Sequence, residues 1–313
     1  MCVEEGRCGF IVPLSAYSTA TMNSLKNFVF TNVNLSWNSY YSASDQPSSL
    51  FTGVRHRLLI TLNKYKSRTD GKKYSTNFIK WFNEERPYLF NVFIKYYDLQ
   101  SSLLPPNSKI SSSIEDSILK KLSKRKTLNN YVKEYGVPIY YHNAPVHWHK
   151  VFDFIPYFAI NGLEQKSSHV KGLYLSNVEE SAIVICLLNS SLFYWYNWQY
   201  SNCRDLSLKD IYRMPFEIDL LTAKQKSVFV KLKQNLLDSY RNFSKVYKRK
   251  LKKTRTEFDA FYPMYSKPII DEIDKVLAVH YGFTEEELDF IINYDIKYRM
   301  GKESAEADNL EEE

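Results

Sequence analysis

The 313-residue sequence predicts an α/β region at its start, followed by a mixed α+β region that becomes largely helical towards its end. Three observations carry this. Residues 8–13 (CGFIVP) form a short continuous apolar run, the pattern of a strand buried on both faces in a parallel sheet. Residues 138–175 alternate aromatic and polar side chains, which is strand periodicity broken by turns. From 221 to 258, Phe229, Leu232, Leu236, Tyr240, Phe243, Tyr247 and Leu251 step by three and four, which predicts one long amphipathic helix.

The remaining elements follow in order. Met22, Leu25, Phe28 and Val29 lie at helical spacing after the first strand. An aromatic-rich strand is expected over about 33–41. A polar loop holding Pro47 and Gly53 follows, and then a strand at 54–62 (VRHRLLITL). Residues 65–77 are polar and are expected as a connection. Short helical patterns dominate 78–134, broken by LLPPNSK at 103–109. Residues 178–200 are helical, and a turn with Arg204 and Asp205 leads into a small helix with Leu208 and Ile211. Near the end, Ser266 with Pro268 marks one helix start. Thr284 with Glu287 three residues on marks another, as a capping box. The last residues form an acidic tail that is expected to be disordered.

Composition narrows the function. Hydrophobic residues make up 44 % and charged residues 25 %, which fits a globular chain with room for two domains at ~100–200 residues each. The four cysteines (Cys2, Cys8, Cys186, Cys203) have no CxxC spacing, which speaks against a zinc site or a disulfide framework and suits a reducing, cytoplasmic compartment. His147 and His149 straddle Trp148, so on a strand they would face opposite sides. No apolar run approaches the ~20 residues that a membrane span needs, so no membrane partner is expected.

No catalytic set is legible. The sequence holds no GxGxxG, P-loop, HExxH or nucleophile-elbow motif. Glu179 and Glu180 are adjacent and suit a solvated helix start. The strongest electrostatic signal is the run Arg241, Lys245, Lys248, Arg249, Lys250, Lys252, Lys253 and Arg255. Across 221–258 there are 12 Lys plus Arg against Asp238 and Glu257, a net +10. Phosphate contact and a plain solvated face are both open. In YWYNWQYSNCRD (194–205), Trp195 and Trp198 suit core packing, and Arg204 suits either a local partner or a base edge or phosphate. Phe51, beside Gly53, suits either loop packing or stacking on an extruded base.

Four stretches together resemble the gamma-class (TaqI-type) N6-adenine DNA methyltransferases of restriction-modification systems. GRCGFIVPLSAYST (6–19) is similar to the fifth core strand and its turn. SSLFTGVRHRLLITL (48–62) is similar to the hairpin that closes the methyltransferase sheet. The segment GLYLSNVEESAIVICLLNSSLFYWYNWQYSNCRDLSLKDIYRMPF (172–216) is typical of the target-recognition region, and YGFTEEELDFIINYDIKYRMG (281–301) of the closing segment.

The resemblance implies a partial Rossmann-like methyltransferase sheet over residues 1–64 and a linker over 65–77. It implies a DNA target-recognition region over 78–220, a helical carboxy-terminal region over 221–300 and the acidic tail over 301–313. It implies site-specific methylation of adenine N6 in double-stranded DNA with S-adenosylmethionine, and Phe51 as the base-stacking aromatic. The DNA-binding residues expected are Arg204, Arg241, Lys245, Lys248, Arg249, Lys250, Lys252 and Lys253.

The glycine-rich cofactor turn and the Asn-Pro-Pro-Tyr loop of the family are absent from the sequence. No catalytic residue and no bound S-adenosylmethionine are therefore expected in this chain alone. A truncated or split enzyme, working with a separate amino-terminal methyltransferase chain, is the resulting expectation. A non-catalytic specificity subunit acting with a separate methyltransferase or nuclease is the alternative, and an inert gene remnant or a generic RNA-binding protein are weaker ones.

Overall fold

The computed structural model describes residues 5–43, 48–65, 71–99 and 108–301. The acidic tail, Pro47 and most of LLPPNSK lie outside the described residues. The chain divides into two compact units, one of residues 1–121 with 197–203, the other of 122–196 with 204–313.

The first unit is built on a five-stranded sheet in the order β1-β3-β2-β4-β5. Its elements are β1 (Arg7–Pro13), α1 (Ser15–Ser18), α2 (Asn23–Asn32), β2 (Val33–Tyr41), β3 (Leu58–Tyr65), β4 (Lys72–Ile79) and β5 (Tyr97–Asp98), followed by α3 (Ser113–Leu122). β2 and β3 form the expected antiparallel pair, with Tyr41 opposite Leu58. β2 pairs parallel with β4, and β1 meets β3 antiparallel from Arg7↔Lys64 to Pro13↔Leu58. Beneath the sheet end, Tyr41, Leu50, Leu58, Ile79, Trp81 and Leu89 close a core cluster.

Two expectations are corrected here. β1 is not buried on both faces: among the described residues it pairs along one edge, and Phe10 and Ile11 are 52 % and 55 % exposed. The apolar run predicts parallel-sheet burial, but among the described residues β1 has one strand neighbour, the antiparallel β3. The polar stretch 65–77 is not a connection throughout, because β4 begins at Lys72. The strand (KKYSTNFI) buries Ser75, Thr76, Phe78 and Ile79 on both its faces, and strand pairing with β2 outweighs a composition that suggests a loop.

The second unit contains two sheets and most of the helices. β6 (Val137–His142), β7 (Val151–Phe152) and β10 (Val170–Leu175) form one sheet in the order β10-β6-β7. β8 (Phe158–Ile160), β9 (Leu163–Glu164), β11 (Lys245–Leu251) and β12 (Thr254–Ala260) form the other, in the order β11-β12-β8-β9. The helices are α4 (Val178–Asn189), α5 (Ser191–Tyr200, divided between the units after Tyr196), α6 (Leu208–Tyr212), α7 (Ala223–Phe243), α8 (Lys267–Tyr281), α9 (Glu285–Asn293) and α10 (Ile296–Arg299).

α4 is the centre of this unit, with residues 181–189 all buried. Its last residue, Asn189, ties three elements together. The side-chain amide donates to Val151 O and Ile185 O, and its carbonyl accepts from Val151 N and the Tyr240 hydroxyl. A buried amide satisfied in this way fixes the register of α7 against α4. A buried ionic group lies just past the end of α4. Asp274 accepts the Ser191 and Leu192 amides at 3.0 Å, and the Arg299 guanidinium sits 3.8 Å from the Trp148 ring centre. The Thr284–Glu287 capping box forms as expected. Ser266 stands at the start of α8, but its hydroxyl meets Ser239 rather than capping the helix.

Candidate nucleic-acid interface

The predicted long helix over 221–258 ends at Phe243, and the basic run that follows is a β-hairpin. Ser244 leaves α7 in extended geometry (φ -70, ψ 153). Two forces explain the switch. In a helix, Lys245 and Arg249, Lys248 and Lys252, and Arg249 and Lys253 would be like-charged neighbours at i,i+4, which is unfavourable. In the hairpin the same residues face a different set: Lys248 lies opposite Glu257 and Arg249 opposite Thr256. The apolar steps at Tyr247 and Leu251 fit the helical period only by coincidence.

The hairpin turns through Lys252 and Lys253, with Leu251 opposite Thr254. Lys252 takes φ 53, a left-handed backbone that glycine would adopt more readily. Residues 245–260 carry seven cations (Lys245, Lys248, Arg249, Lys250, Lys252, Lys253, Arg255) against Glu257 and Asp259, a net +5. All seven are exposed except Arg249, which is half-buried. Glu257 approaches Arg255 Nε at 2.9 Å and Lys248 Nζ at 3.7 Å. Phe258 and Ala260 are buried and anchor the base of the hairpin, with the Tyr247 ring 5.2 Å from that of Phe258.

The hairpin thus gathers six of the expected DNA-binding residues, Lys245 through Lys253, on one projecting element. Arg241 stands apart from them, on the last turn of α7. It is tied to Asp238 at 3.1 Å and Asp153 at 3.5 Å, and lies over the Phe154 ring at 4.7 Å. Arg204 is exposed on the turn before α6. Trp195 and Trp198 are buried, each within its own unit. Trp195 meets Phe290 edge-on, and Trp198 packs on Phe78 with Lys80 Nζ 4.4 Å above its ring. The Glu179–Glu180 pair serves the α4 start: Glu180 bonds Asn177, and Glu179 faces Lys226 at 3.7 Å.

In the first unit, Phe51 sits at the exposed tip of the β2–β3 connection, 41 % exposed. Buried Leu50 and two bonds from Arg86 to Ser49 O and Leu50 O hold the loop from behind. Gly53 takes φ 77, a left-handed backbone that glycine adopts without strain. The ring is therefore presented by a braced loop rather than packed into the core.

Sequence periodicity missed the Arg255–Glu257 pair as a unit. The signal that could have found it is the i,i+2 spacing, which places both side chains on one face of a strand but on different faces of a helix. Among the described residues no cluster of His, Cys, Asp and Glu could hold a metal ion. No described helix is long and apolar enough to cross a membrane.

No family model matches the sequence, and no curated protein matches it. Among solved structures, the chain is similar to the Type IIL restriction-modification enzyme MmeI in complex with DNA, at 12 % identity and a TM-score of 0.45. The match covers 94 % of this chain and 49 % of MmeI, so the chain spans about half the length of that enzyme.

Proposed function

We propose that this chain is the carboxy-terminal, DNA-recognising part of a site-specific adenine-N6 DNA methyltransferase of the restriction-modification type. The single observation that carries DNA binding is the β11–β12 hairpin, a projecting ribbon with seven exposed or half-exposed cations and two acids. Neutralising phosphates releases condensed counterions, so such a cluster gains most from a polyanion. The methyltransferase assignment rests on the four sequence stretches. It is supported by the antiparallel β2–β3 pair and by Phe51 presented at a braced loop tip, where an extruded adenine would stack.

S-adenosylmethionine belongs to the complete enzyme. The described residues do not fit it: β1 runs into Leu14 and α1, with Leu14 N bonded to Arg57 O, and no glycine-rich turn follows the strand. A separate amino-terminal chain would supply the cofactor site and the adenine-holding loop. The open edge of β1, with Phe10 and Ile11 exposed, is where its sheet would continue.

The test is fluorescence anisotropy of a labelled mixed-sequence duplex across 50–200 mM salt. A Lys248→Ala, Arg249→Ala, Lys250→Ala variant is expected to bind about ten-fold or more weakly at low salt. Its log–log salt slope should be shallower by about two to three, from three lost phosphate contacts. Unchanged affinity across the series would overturn phosphate contact by the hairpin.

A further inference from the structure

Building on DNA binding, we propose that the β11–β12 hairpin enters the DNA major groove as a two-stranded ribbon, where Arg255, positioned by Glu257, reads a guanine. A ribbon of this kind matches the groove, which is about 12 Å wide and admits two paired strands. The turn end of the hairpin extends past the strand that flanks β12. β12 pairs with β8 only from Thr256 to Phe258, and the last tie to the body is the pair of bonds between Arg255 and Asn161. Beyond that point the hairpin runs on through Leu251 and Thr254, which face each other across the turn.

Alternation divides the ribbon into two faces. One carries Tyr247, Arg249, Leu251, Thr254 and Thr256 and is anchored by buried Phe258 and Ala260. The other presents Lys248, Lys250 and Arg255, with Lys252 and Lys253 at the tip. On this second face Lys250 and Arg255 stand directly opposite each other. Like charges so placed repel within the hairpin, and an electronegative ligand between them removes that cost.

Arg255 differs from the lysines around it. Its Nε is taken by Glu257 Oε1 at 2.9 Å, and Glu257 is itself mostly covered, with 17 % of its side chain exposed against 58 % for Arg255. Among the described residues Glu257 is the only ion partner of this guanidinium. The ion pair runs through Nε, and among the described residues no second carboxylate engages the two terminal nitrogens. Those two form the fork that pairs with O6 and N7 of guanine. A lysine cannot make that contact in the same fixed plane. Lys252 and Lys253, on flexible stems at the turn, suit the phosphates of the groove wall instead.

The experiment enriches a random-sequence duplex library on the full chain and then measures the selected duplex against versions changed at each position. A guanine preference is expected at one position, and 7-deazaguanine there should weaken wild-type binding about ten-fold. In Arg255→Ala, and in Arg255→Lys should the alanine variant not fold, the preference and the deaza penalty should both vanish. Binding to unselected duplex should weaken only as much as it does when another hairpin cation is removed, in Lys253→Ala. Glu257→Gln should shrink the deaza penalty while leaving the salt slope unchanged, which a merely structural role would not do.

Uniform weakening on all duplexes, or a deaza penalty equal in wild type and Arg255→Ala, would overturn base reading by Arg255. Competition by a minor-groove ligand such as netropsin would overturn the choice of groove. Failure of the wild-type chain to bind any duplex would instead overturn DNA binding itself.

Discussion

His142, His149 and His280 are buried, and burial is the first cause that holds each imidazole neutral. Their pKa values fall to about 3, about 3 and about 4, with Lys150, Arg299 and Arg125 respectively adding repulsion. In the unfolded chain each titrates near the ordinary 6.5. The folded values are depressed for a base, so the unfolded chain binds more protons as pH falls below 6.5, and stability drops until the folded values are reached. Each histidine accounts for roughly 2 kcal/mol lost between pH 7 and pH 5. Asp274 acts in the opposite sense. Burial raises its carboxyl to about 6, against the Ser191 and Leu192 amides and Arg299, so it favours the fold as pH falls through 6. One carboxyl does not offset three histidines. The urea midpoint is therefore expected to fall from pH 7 to pH 5, and His149→Gln should flatten that fall. A midpoint independent of pH would show that these imidazoles are not held neutral.

At the scale of elements, the same residues that step correctly for a helix through Tyr240 become a hairpin after Ser244. The apolar spacing of α7 was legible, because Phe229, Leu236, Leu237 and Tyr240 do face the core. The hairpin was not, because its partners Phe158–Ile160 lie far earlier in the chain and local spacing cannot see them. The turn keeps a trace of this compromise in Lys252, whose φ of 53 costs an ordinary residue about 1–2 kcal/mol. Lys252→Gly relieves that cost and gives back about 0.5–1 kcal/mol in unfolded-chain entropy. A net gain of up to about 1 kcal/mol is expected, read as a higher Tm, together with modestly weaker DNA binding from the lost cation. A lower Tm would mean that the Lys252 stem contributes packing at the turn.

For the whole molecule, the open edge of β1 has a solubility cost. Phe10 and Ile11 point to opposite faces of an edge strand and are both more than half exposed. Unpaired strand edges with apolar faces invite pairing between copies. Ile11→Lys is expected to leave the unfolding free energy from urea titration within about 0.5 kcal/mol of wild type and to reduce light scattering in concentrated samples. A large loss of stability instead would show that Ile11 is packed in the folded chain.

By itself the sequence determined the order of most elements: the β2–β3 pair, the strands of 138–175, α4 and α5, and the Thr284 cap. Each of these is written in spacing or capping chemistry that acts over a few residues. It also determined the cationic excess and its place in the chain, since charge needs no fold to be counted. Only the tertiary structure decided that β1 is an edge strand, that β4 joins the first sheet, and that the basic run is a ribbon. Only it brought Arg255 onto the same face as Glu257. These depend on strand partners distant in sequence, and a side chain's face is set by which backbone period wins once those partners pair.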